Sequence, residues 1–151
     1  MILLLLLVGS CTNHSARYIY ENGVIQVGGD GKPIELIDNP DATNPTYAEL
    51  VAFIKEDSTN ELTYIVVEGN GTAGPIRTYI CSDFAETVHN NAEEAGIRAA
   101  WVSIYFDGVD EGHALNAFET TDRGLVYVDC TGIDIKGLIA GQKPCDKIAY
   151  V

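Results

Sequence analysis

The chain is short of positive charge. It has nine Lys and Arg against 22 Asp and Glu, a formal net charge of −13. A nucleic-acid binder needs clustered cations to displace counterions from phosphate, so this balance argues against that class. It argues equally against electrostatic adhesion to anionic lipid. Long apolar runs are also missing. The longest, Met1–Val8, is far below the roughly 20 residues of a membrane-spanning helix. No internal repeat is visible, and no low-complexity tract follows that run. What is present is 151 residues, 46% hydrophobic and 21% charged. That is one domain's worth of chain with enough apolar material to bury a core.

The apolar run Met1–Val8 is followed by Gly9, Ser10 and Cys11. An apolar segment running into small residues fits the end of a secretory signal. Val8-Gly9-Ser10-Cys11 resembles a lipobox, in which the cysteine becomes the lipidated N-terminus. The expectation is a signal segment over residues 1–11 and a polar tether over 12–17. A single domain over 18–151 follows, exported and lipid-anchored at the cell surface or extracellular. Any membrane association would then run only through a lipid on Cys11.

Local patterning predicts the elements. Asn22-Gly23 between apolar residues signals a hairpin, because both central positions of a type I′ turn need positive φ. Gly28-Gly29-Asp30-Gly31 reads as a second turn. Thr46 stands three residues before Glu49, a capping-box spacing, and opens a short amphipathic helix over Tyr47–Lys55. Glu56–Asn60 reads as loop and Tyr64–Val67 as a strand. Cys81, Phe84, Ala85, Val88, Ala92 and Ala95 share one face of a second helix, which Gly96 would end. Ala99–Phe106, His113–Thr120 and Leu125–Asp129 read as three sequential strands. The expected fold class is α+β, with the Cys81 helix packed on an antiparallel sheet.

The chemistry narrows by elimination. Of three histidines, His14 lies in the tether. His89 follows Cys81 by eight residues on the same helix, so their backbones are about 12 Å apart. His113 begins a strand and is the histidine placed to reach Cys81. A cysteine at a helix N-terminus meets unpaired N–H groups and the positive dipole end, which favour thiolate. An imidazole then takes the proton, and a carboxylate fixes its tautomer and orientation. Asp129, at the end of the neighbouring strand, is the natural orienter, because paired strands lie about 4.8 Å apart. Taken singly these are a core cysteine, a satisfied histidine and a turn aspartate. Taken in order they are a Cys81–His113–Asp129 triad.

Tyr79–Ala85, Ala95–Ala99, Gly112–Phe118 and Tyr127–Thr131 together resemble the transglutaminase-like superfamily. The similarity covers about residues 79–132. It departs at Tyr79 and Leu115, where many small members carry Gly and an aromatic residue. The resemblance implies a papain-like core with Cys81 as nucleophile, His113 as base then acid, and Asp129 as orienter. It implies acyl transfer at amides: peptide hydrolysis, crosslinking of Gln to an amine, or deglycosylation. A vestigial triad on a non-catalytic surface binding module is the alternative.

Four further expectations complete the reading. Asn70 is the candidate side chain for an oxyanion hole, beside the Cys81 N–H. Cys130 and Cys145 remain as a pair suited to a disulfide in an exported protein. No cofactor is expected. Asp107-Gly108-Val109-Asp110-Glu111 reads first as a solvated loop and only secondarily as a calcium ligand set, because it lacks the EF-hand pattern. The acidic charge would attract a cationic or amine-bearing peptide or protein substrate.

Overall fold

The computed structural model describes residues 14–62, 65–67, 76–105, 112–131 and 147–150. Within them the architecture is mixed α/β, with two α-helices and antiparallel sheets. The signal segment, Asn70, the acidic loop 107–111 and Cys145 lie outside the described residues. Among the described residues, no helix is long and apolar enough to cross a membrane.

The N-terminal segment is built from β1 (Ser15–Tyr18), β2 (Tyr20–Glu21), β3 (Val24–Ile25) and β4 (Glu35–Asp38). β2 and β3 pair across Asn22 (φ 49°) and Gly23 (φ 79°), the turn that Asn-Gly predicts. The tether expected over 12–17 needs correcting. From Ser15 onward the chain forms β1, which pairs antiparallel with β4, Ser15 opposite Asp38 and Tyr18 opposite Glu35. Ser-Ala-Arg-Tyr carries no apolar alternation and is exposed throughout, so local sequence gives no strand signal. The long-range pairing and the Arg17–Asp38 ion pair (2.6 Å) hold it instead.

Helix α1 spans Tyr47–Glu56. The Thr46 hydroxyl accepts from the Glu49 N–H (3.2 Å), and the Glu49 carboxylate accepts from the Thr46 N–H (2.7 Å). The capping box is therefore reciprocal, as the spacing predicts. The stretch expected as loop is instead a 3₁₀ turn over Ser58–Glu61, opened by Asp57, whose carboxylate accepts from the Thr59 N–H. β5 (Ile65–Val67) pairs antiparallel with β6 (Ile76–Tyr79), a strand that the sequence did not announce.

Helix α2 (Cys81–Glu94) and three strands follow: β7 (Ala100–Ile104), β8 (His113–Thr120) and β9 (Gly124–Asp129). β10 (Lys147–Tyr150) completes an antiparallel sheet of order β10-β9-β8-β7. Gly96 adopts φ 77° just beyond α2, the left-handed position that closes a helix. α2 packs on β8. Leu50 and Ile54 of α1, Phe84, Val88 and Ala92 of α2, and Phe118, Val126, Val128 and Cys130 of the sheet form one core. Each such large apolar side chain contributes about 1.5–3 kcal/mol when fully buried. Within this interface Asn116 donates its side-chain amide to the Ala85 carbonyl at 2.8 Å, tying β8 to the first turns of α2. The core thus fixes the N-terminus of α2 against the start of β8.

Candidate active site

Cys81 is the first residue of α2 and the free cysteine among the described residues. Its helix start is held by Asp83, whose carboxylate accepts from the Ile80 N–H at 2.7 Å and from the Gly29 N–H at 2.9 Å. One buried carboxylate therefore fixes both the turn bearing Cys81 and the glycine turn 54 residues upstream. Gly28 lies so close that a Cβ there would sit 2.0 Å from the Asp83 Oδ1. This approach requires glycine.

His113, the first residue of β8, is buried. Its Nε2 lies 3.0 Å from the Asp129 Oδ2, and it lines the same cleft as Cys81. With Nε2 turned to the carboxylate, Nδ1 is the nitrogen left for the thiol. The register pairing Asn116 with Val128 places Asp129 diagonal to His113 on the same face of the sheet. Asn116 lies on the other face, serving the core. Asp129 is locked in turn. Its Oδ1 accepts from the Thr131 N–H (2.9 Å) and the Thr131 hydroxyl (2.8 Å), leaving Oδ2 for the histidine.

The electrostatics follow from this geometry. Burial disfavours a charged His113, but the hydrogen bond to Asp129 and the neighbouring Cys81 outweigh it, and its pKa is pushed up to about 9. Burial likewise works against an ionised Asp129. The hydrogen bonds from His113 and Thr131 win, and the carboxyl is held below its usual range.

Cys81 and His113 open onto a cleft of about 320 Å³. It is lined by Trp101, Ser103 and Tyr105 from β7 and its end, and by Gln26 and Val27 from the N-terminal segment. Ser82 joins the two, its hydroxyl donating to the Val27 carbonyl (3.3 Å) and its own carbonyl accepting from the Trp101 Nε1 (3.5 Å). The Tyr105 hydroxyl hydrogen-bonds Glu21, bracing the β2–β3 hairpin against the cleft.

The three residues singled out as a triad are thus brought together. His14 is exposed at the start of the described chain, and His89 is buried elsewhere on α2. Tyr79 turns to the core, its ring edge-on to Phe84 and its hydroxyl 2.6 Å from Thr87 Oγ1. The sequence reading missed Gln26 and Val27. They lie over 50 residues from Cys81 in a stretch without catalytic pattern, and only the glycine turn brings them back.

No known family matches the chain, and neither a curated protein nor a solved structure matches it.

Proposed function

We propose that the chain is an exported, transglutaminase-like cysteine hydrolase or acyltransferase acting at amide carbonyls. One observation carries this reading: the buried, hydrogen-bonded His113–Asp129 pair and the half-buried Cys81 at the start of α2 meet at one cleft. The Cys81 sulfur attacks the amide carbon, and His113 holds the thiol proton as imidazolium. When the tetrahedral intermediate collapses, the C–N bond breaks and His113 delivers that proton to the departing amine. A water, deprotonated by His113, then cleaves the thioester and restores the thiol. Asp129, fixed by Thr131, keeps the imidazole oriented through both halves. Hydrolysis is favoured over transfer to an amine, because the cleft is open and the described residues lining it build no amine site. The acidic surface draws a cationic or amine-bearing peptide.

The developing oxyanion needs donors. The Cys81 N–H at the helix start is one, and Gln26, which lines the same cleft, would supply the second by turning its side-chain amide from the Val24 carbonyl (3.5 Å). Asn70, the side chain that the sequence offers for this role, lies outside the described residues.

Two reactions on the same thiol test the whole reading. Alkylation by iodoacetamide forms no oxyanion, whereas acylation by an aryl ester does. Near pH 6.5, His113→Ala should slow alkylation of Cys81, located by peptide mapping, by about tenfold or more. Gln26→Ala should leave alkylation unchanged and slow acylation by about 10²-fold. Alkylation indifferent to His113 overturns the catalytic reading in favour of a binding module with a vestigial triad. Acylation indifferent to Gln26 overturns only the oxyanion assignment.

A further inference from the structure

A second cluster lies on α2, away from the cleft. His89 and Glu93 stand four residues apart and therefore share a helix face. Asp38, at the end of β4, meets that face. One ligand atom from each of the three lies within 4.8 Å of the other two. Glu93 is buried, and its two oxygens accept from the Asn39 N–H (3.0 Å) and the Ala99 N–H (2.8 Å). Asp38 Oδ2 accepts from the Arg17 Nε at 2.6 Å.

His89 is the anomaly. Its side chain is fully buried, yet neither ring nitrogen has a hydrogen-bond partner. Nε2 comes within 3.3 Å of the Asp38 Oδ1, but not in line for an N–H to donate. Leaving a buried polar group unpaired costs about 1–3 kcal/mol, so such a group calls for a partner. Two carboxylates also face a single guanidinium here, so the cluster is short of positive charge. Each carboxylate oxygen has two lone pairs, so the backbone contacts to Glu93 leave one free and fix its orientation, as outer hydrogen bonds do around metal ligands.

We propose that Asp38, His89 and Glu93 form a binding site for a divalent first-row transition metal of the zinc class. One imidazole nitrogen and two carboxylate oxygens suit such an ion; a site for Mg²⁺ or Ca²⁺ would be all oxygen. The site is structural. His89 is about 12 Å along α2 from Cys81, too far to act on the same carbonyl. It ties the β1–β4 pair to α2 and so holds the N-terminal segment that carries Gln26.

The test uses the full chain with Cys81→Ala, which removes the competing thiol, after chelator treatment. Zn²⁺ and Co²⁺ are titrated in, with Mg²⁺ as control. Zn²⁺ should shift the His89 ring-nitrogen resonances and raise Tm to a plateau. Bound Co²⁺ should show d–d bands without a thiolate charge-transfer band. Adding Asp38→Asn, at a half-buried position, should weaken this binding by about tenfold or more while leaving the metal-free Tm close to that of the parent. His89→Gln should abolish it. Unmoved His89 resonances at saturating Zn²⁺ would overturn the proposal, as would undiminished affinity in Asp38→Asn. His89 would then be a neutral buried histidine only.

Discussion

At His113 the raised pKa makes stability depend on pH. The folded value is about 9 against an ordinary 6.5, so the native state binds this proton more tightly than the unfolded chain. The contribution is complete below about pH 6.5 and disappears as pH rises through about 9. Asp129 is shifted the other way; its contribution is present above about pH 4 and is lost as pH falls through its depressed folded value. Both are complete between about pH 4 and 6.5. Urea unfolding should therefore show the wild type losing on the order of 2 kcal/mol between pH 6.5 and 9.5 that His113→Gln does not lose. Parallel pH profiles would mean that the pair is not charged in the native state. The identities of these residues were legible in the sequence because each type has a defined role at its place: cysteine at a helix start, histidine and aspartate on adjacent strands. Gln26 was not legible. A lone glutamine in a short strand-and-turn region has no periodicity or motif, and only the fold brings it to the cleft that Cys81 lines.

Among the elements, the start of α2 is set by two neighbours rather than by its own sequence alone. Ile80 offers no side-chain cap, and Asp83 supplies the missing acceptor while also holding the Gly29 N–H. Gly28→Ala would drive a methyl into the Asp83 Oδ1 and force that carboxylate from both donors. Overpacking of this kind costs about 1–3 kcal/mol. Thermal unfolding should show a loss of that size, and Cys81 alkylation should slow because the helix start shifts. An unchanged Tm would show that the Gly28 turn is not packed on Asp83. Helices α1 and α2 and strands β8 and β9 were readable because a 3.6-residue period, caps and alternation are local signals. β1, β4 and β6 were not. Each is four residues long, and β1 is polar and exposed, so only its partner strand defines it.

Across the whole molecule, the N-terminal third is fastened along α2 by Val27 to Ser82, Gly29 to Asp83, Glu35 to Glu86, Ile37 to Asn90 and Asn39 to Glu93. If the proposed export holds, a disulfide would fasten the C-terminal part. Cys130 sits in the core beside Asp129, and we expect it to pair with Cys145 across a loop worth about 3 kcal/mol. Non-reducing peptide mapping of secreted protein should recover the two cysteine peptides joined. Reduction should lower Tm. Recovery of Cys130 and Cys145 as free thiols would remove that fastening from the account. The sequence by itself determined helices α1 and α2, the Thr46–Glu49 capping box, the Asn-Gly turn and strands β8 and β9, because each depends on neighbours within a few positions. Tertiary structure alone decided that residues 15–38 form a paired strand unit against α2, that Gln26 lines one cleft with Cys81 and that Asp38 meets His89. Those contacts span some 50 residues, and no local pattern records which distant surface a turn will close upon.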